Sequence, residues 1–91
     1  MAGIAALIVK VMPSSPDVNL VELEEEALEL LEKEGAQNIS FTEEPIAFGL
    51  KAVMIKMAWP EDKETELVVE CLNSIEEVSA VDIVDYRRAF G

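Results

Sequence analysis

Few side chains in this sequence have the type and spacing for chemistry. Histidine is absent, which removes the commonest general base and the commonest metal ligand. Cys71 is the single cysteine, so no internal disulfide and no thiolate zinc site can form, and a reducing compartment fits. Nothing near Cys71 in the sequence would lower its pKa, and it reads as a structural thiol. The adjacent carboxylates Glu43-Glu44 and Glu76-Glu77 have the makings of an acid–base pair. In a chain with 19 Asp and Glu they read instead as solvated turns. No phosphate-binding loop, dinucleotide fingerprint or nucleophile motif is present. Two segments are harder to explain as scaffold. Pro45-Ile46-Ala47-Phe48-Gly49-Leu50-Lys51 sets an aromatic beside a glycine at a strand entrance. Packing would have Phe48 fill the core while Gly49 relieves a bend; the alternative is a functional surface. Asp82-Ile83-Val84-Asp85-Tyr86-Arg87-Arg88-Ala89-Phe90 ends in an arginine pair, either a solvated tail or a working one.

The elements must position these residues within 91 residues, room for one domain over 1–91. A formal charge of −12 argues against a nucleic-acid or anionic-membrane partner, since either needs a basic face. The longest apolar run, residues 4–12, is too short to span a bilayer and lacks signal-peptide flanks. These features imply a soluble, cytoplasmic protein.

Residues 4–12 read as a central strand, with Leu7, Val9 and Val11 on one face and Ile8, Lys10 and Met12 on the other. Pro13-Ser14-Ser15-Pro16 ends it. Asn19 has the makings of a helix N-cap with Glu22 at the capping-box position. Leu20, Leu23, Ala27, Leu30 and Leu31 recur at helical spacing, and Gly35 closes the helix. A short strand is expected over 37–42, with Ile39 and Phe41 on one side, then a connector over 43–45. A long strand is expected over 48–59, stopped by Pro60, with Trp59 as a core or edge hydrophobe. Thr65 is placed to cap a second helix with Leu67, Cys71, Leu72 and Ile75 inside. A last strand over 79–86 turns Val81 and Ile83 inward, and residues 87–91 form a tail.

The order βαββαβ with right-handed crossovers puts both helices on one face of a four-stranded antiparallel sheet. This is the α+β, ferredoxin-like sandwich. The expected core holds Val9, Leu23, Leu30, Ile39, Ile55, Leu72 and Ile83. The uncovered face carries Ile8, Lys10, Met12, Met54 and Lys56, not the aromatics that an RNA-binding sheet would present. Many unrelated activities use this fold.

The chain resembles the elongation factor 1-beta family, as found in archaea and as the C-terminal exchange domain of the eukaryotic beta and delta subunits. The matching pieces are Val9-Lys10-Val11-Met12-Pro13, Pro16-Asp17-Val18-Asn19-Leu20, Glu44-Pro45-Ile46-Ala47-Phe48-Gly49-Leu50-Lys51 and Val81-Asp82-Ile83-Val84-Asp85. The third is the most specific. The resemblance covers essentially the whole chain and implies guanine nucleotide exchange on elongation factor 1-alpha during translation elongation, by binding and without covalent chemistry or a cofactor. It places Phe48 on the surface used against the GTPase, with Pro45, Gly49, Lys51 and Tyr86 as further partner-binding residues. It places Arg88, with Arg87 beside it, where the family directs a cation toward the Mg²⁺ and γ-phosphate region. Eukaryotic members carry Lys there, a departure because Arg and Lys are not interchangeable. A competing class, a small ferredoxin-like regulatory module that binds a ligand, predicts a polar pocket or a symmetric interface; the sequence offers no Gly-rich loop for it.

Overall fold

The computed structural model describes residues 3–88; Ala89, Phe90 and Gly91, the end of the expected tail, lie outside them. Along the chain come β1 (Ile4–Pro13), α1 (Leu20–Lys33), β2 (Gln37–Pro45), a 3-10 turn (Ala47–Gly49), β3 (Lys51–Pro60), α2 (Glu66–Asn73) and β4 (Val78–Arg88). The sheet order is β2-β3-β1-β4, every neighbouring pair antiparallel. This is the expected ferredoxin-like α+β arrangement.

Strand alternation divides β1 cleanly. Ala5, Leu7, Val9 and Val11 are fully buried and stand opposite Trp59, Met57, Ile55 and Val53 of β3. Ile8 opposes Lys56, and Lys10 opposes Met54, on the uncovered face. Over the buried face, α1 contributes Leu23, Ala27 and Leu31, and α2 contributes Val68 and Leu72. Spacings of four residues bring these side chains to one stripe of each helix. The Asn19 cap forms as expected, its Oδ1 accepting from the Val21 and Glu22 N–H groups at 3.0 and 3.3 Å, but the Glu22 carboxylate does not accept from the Asn19 N–H, so the expected capping box is only half made. Its end is closed by Gly35 at φ 98°. Gly35 N–H donates to the Glu32 carbonyl and Ala36 N–H to the Leu31 carbonyl, the Schellman pattern that satisfies terminal carbonyls. Trp59 is a core residue, fully buried, with its indole N–H donating to the Lys63 carbonyl at 3.2 Å.

The structure corrects several expectations. β2 continues through Pro45, so residues 43–45 are strand rather than connector. β3 begins at Lys51, not Phe48, because Phe48 and Gly49 both take left-handed conformations (φ 63° and 76°) that no strand accommodates. Thr65 makes no side-chain cap and has helical dihedrals; its carbonyl accepts from Val68 and Val69 as the turn winds up. The buried stripe of α2 runs through Val68 and Leu72 to Ile75, leaving Leu67 and Cys71 only partly covered. Leu30 and Ile39 pack against the core without being fully buried. Ile83 is 39% exposed: it sits on the edge strand β4, and the eight-residue α2 leaves it at the wall of an open cleft. Arg87 and Arg88 belong to β4 and not to a tail.

Candidate functional site

Among the described residues no charged or polar side chain is buried. The singled-out residues fall at opposite ends of the sheet.

At one end, the β2–β3 hairpin closes with the Ile46 N–H donating to the Leu50 carbonyl at 2.8 Å and the Leu50 N–H to the Ala47 carbonyl at 3.3 Å. Between them Phe48 is held at φ 63°, ψ 29° with 94% of its surface exposed. A left-handed aromatic with no packing contact to hold it is an outlier, since such conformations cost of order 1 kcal/mol and cluster where surroundings impose them. Here the imposing element is the hairpin closure. A Cβ on Gly49 would meet nothing within 4 Å, so its positive φ, not lack of space, favours glycine. Pro45 and Lys51 form the last pair of the ladder below the tip, and Lys51 Nζ lies 3.9 Å from the Glu43 carboxylate. A recess of about 230 Å³ opens beside the tip, lined by Pro13, Pro16, Val18, Gly49 and Lys51 among others.

At the other end, Tyr86, Arg87 and Arg88 stand opposite Leu7, Ala6 and Ala5. Successive strand residues point to opposite faces. Tyr86 and Arg88 therefore point to the helix side and Arg87 to the uncovered side. Arg87 Nε contacts Asp85 Oδ2 at 3.0 Å, and Arg88 Nε lies 3.8 Å from Glu61 Oε1. Tyr86 and Ile83 line an open cleft of about 660 Å³ edged by the Glu61 to Glu66 segment. From Ala5 to Val11 of β1 is already ~20 Å at ~3.3 Å per residue, and the hairpin tip lies beyond.

The structure thus brings Pro45, Phe48, Gly49 and Lys51 together, and separately Tyr86 and Arg88. It does not join the two groups, and it parts Arg87 from Arg88. Glu61 was not visible from the sequence. Its place beside Arg88 follows from β1 pairing with both β3 and β4, which sets Pro60 opposite Ile4 and Arg88 opposite Ala5.

Cys71 is a free, partly covered thiol. Partial burial pushes its thiol pKa up, as do the nearby Glu34 and Glu70 carboxylates, against a lesser opposing effect of Lys63. Glu43, Glu44, Glu76 and Glu77 are exposed, and among the described residues no three metal-ligating side chains converge. Nor, among them, is any helix long and apolar enough to cross a membrane.

The described residues thus set an exposed aromatic at one end of a ferredoxin-like sheet and a tyrosine and two arginines at the other. Comparison with known proteins assigns the family. Residues 6–89 match the EF-1 guanine nucleotide exchange domain, and the chain belongs to that family of translation elongation exchange factors. It is 45% identical over 82 residues to elongation factor 1-beta of Methanothermobacter thermautotrophicus, covering 88% of this chain and 90% of that one. It is 40% identical over 93 residues to elongation factor 1-beta of Methanocaldococcus jannaschii, covering 98% and 100%. With elongation factor 1-beta of Sulfolobus acidocaldarius it shares 39% over 84 residues, covering 90% and 92%.

Proposed function

We propose that this chain, as one exchange domain over residues 1–91, promotes GDP release and GTP reloading on elongation factor 1-alpha in the cytoplasm. It acts by binding alone. The observation that carries the reading is the hairpin tip, which holds Phe48 in a left-handed conformation with nearly all of its surface in solvent. Large exposed aromatics on rigid turns are the usual anchors of protein interfaces.

Exchange needs one thermodynamic property: tighter binding to the nucleotide-free GTPase than to its GDP-bound form. Coupling is reciprocal, so a hundredfold preference for the empty form, about 2.7 kcal/mol, weakens GDP binding a hundredfold on the factor. The two ends divide the work. Phe48, flanked by Pro45, Gly49 and Lys51, anchors the factor on one part of the GTPase. More than ~20 Å away, Arg88 carries a permanent cation into the region that holds Mg²⁺ and the phosphates, with Tyr86 on the same side of β4. A guanidinium there competes with Mg²⁺ for the same negative charge, and loss of the metal loosens the nucleotide. Arg87 points to the other sheet face and plays a lesser part. The test is release of fluorescent GDP from elongation factor 1-alpha with and without this chain. Acceleration supports the reading, and equal rates at saturating protein reject it.

A further inference from the structure

We infer that Glu61 is a positioning residue for Arg88, seated by the absence of a side chain at Gly3; this role rests on the exchange reading above. Arg88 has a side chain 80% exposed, whereas that of Glu61 is 25% exposed. The less mobile partner is therefore the acid. Its backbone is fixed by the Glu61 N–H donating to the Gly3 carbonyl at 3.0 Å. Its carboxylate lies over Gly3: a Cβ there would come 2.5 Å from Oε2 and 3.0 Å from Cδ. Any other residue at position 3 would push the carboxylate off its seat. The start of β1, paired with β3 on one edge and β4 on the other, then brings Arg88 to that carboxylate, with Nε 3.8 Å from Oε1. The contact is made at Nε, and the Arg88 side chain as a whole stays 80% exposed. Of the neighbouring charges, Asp62, Lys63, Glu64 and Glu66 edge the same cleft, and the Lys63 ammonium is engaged by the Glu34 carbonyl and carboxylate.

At 3.8 Å the contact is Coulombic rather than a hydrogen bond. A long flexible arginine loses much rotamer freedom when it delivers its charge to one place. A pair of this exposure biases that rotamer population by up to about fivefold. Glu61 therefore acts on how often the cation is presented, not on the fold.

Two substitutions perturb the pair by different routes. Glu61→Gln removes the charge and keeps shape and backbone anchor. Gly3→Ala keeps both charges and displaces the carboxylate. Each is expected to slow GDP release from saturated elongation factor 1-alpha about two- to fivefold in Mg²⁺, with no loss under chelator and no change in melting temperature. In the protein alone, each should shift the Arg88 Nε–Hε resonance and leave that of Arg87 in place. Adding Glu61→Gln to Arg88→Ala should cost nothing further. The role is overturned if Glu61→Gln exchanges at the wild-type rate or faster, slows the Arg88→Ala protein equally, or acts equally without Mg²⁺. A wild-type protein that leaves GDP release unchanged fails the exchange reading and takes this role with it. An active wild type beside an equally active Glu61→Gln removes the role alone.

Discussion

With φ 63° and 94% exposure, Phe48 responds differently to alanine and to glycine. Phe48→Ala removes a side chain that buries almost nothing and keeps a residue that dislikes the left-handed region. Its effect on stability should fall within about 0.5 kcal/mol, the usual range for surface substitutions. Phe48→Gly also relieves the left-handed conformation, a gain of about 1–2 kcal/mol. Against this stands about 0.4–1 kcal/mol from the greater freedom of glycine in the unfolded chain. The balance runs from neutral to about 1.6 kcal/mol more stable. Binding should move the opposite way. An anchoring aromatic contributes at least about 2 kcal/mol, so both variants should weaken Kd for nucleotide-free elongation factor 1-alpha about thirtyfold. Urea denaturation of the free protein and titration of the partner measure the two quantities separately. Val21→Ala is the stability control for trimming an exposed hydrophobe, since Val21 is 60% exposed on α1. A stability loss above about 1.5 kcal/mol in Phe48→Ala would show that the ring packs in solution. An unchanged Kd in both variants would show that the tip is not the anchor.

Arg88→Ala should fold normally and slow exchange in Mg²⁺, with the deficit shrinking under chelator, whereas Arg87→Ala should matter less; equal losses in GDP release would undo the assignment of faces. Leu31→Ala, at a fully buried position, should cost about 2–5 kcal/mol in urea denaturation, and Leu30→Ala, partly buried, clearly less. Gly49→Ala should cost about 1 kcal/mol through its backbone alone, because its Cβ meets no neighbour, and a larger loss in denaturation would mean a hidden contact. Burial, then the Glu43 carboxylate, raise the pKa of Glu24, so the folded state prefers Glu24 protonated and works against it when ionised. That burden is present above the raised folded value and disappears as pH falls to the ordinary carboxylate range. Glu24→Gln should thus stabilise the protein slightly at pH 7, by under about 0.5 kcal/mol in urea denaturation, and the gain should vanish near pH 4.

The order of elements and the inner face of β1 and β3 were legible because burial on one side writes period two into the sequence. The α1 ends were legible because Asn19 and Gly35 satisfy terminal groups by local chemistry. The rest depended on partners distant in sequence. Residues 46–59 are nearly continuous in apolar character, so nothing local separates the Phe48 tip from the strand that follows it. α2 offers apolar residues at 67, 68, 69, 71 and 72, and only docking on the sheet chooses the Val68 stripe. Arg87 and Arg88 read as tail because strand pairing of a charged edge is decided by β1. Glu61 meets Arg88 across 27 positions of sequence, and no spacing rule joins them.

One backbone irregularity decides which arginine stands on the helix side. From Val81 to Ile83, β4 follows the alternation of β1, Val11 to Val81 and Val9 to Ile83. The next partner, Ile8, stands opposite Asp85, so Val84 is an extra residue in the ladder. Uninterrupted alternation would have turned Asp85 and Arg87 toward the helix side and Tyr86 and Arg88 to the uncovered face. A single inserted residue exchanges the two sets, since a slip of one flips every side chain that follows. The bulge thus keeps the Asp85 charge off the apolar side, lets Asp85 pair with Arg87 on the uncovered face, and carries Arg88 round to Glu61. Strand periodicity alone would put Arg87 on the helix side; the bulge, which re-aims the end of β4, puts Arg88 there instead.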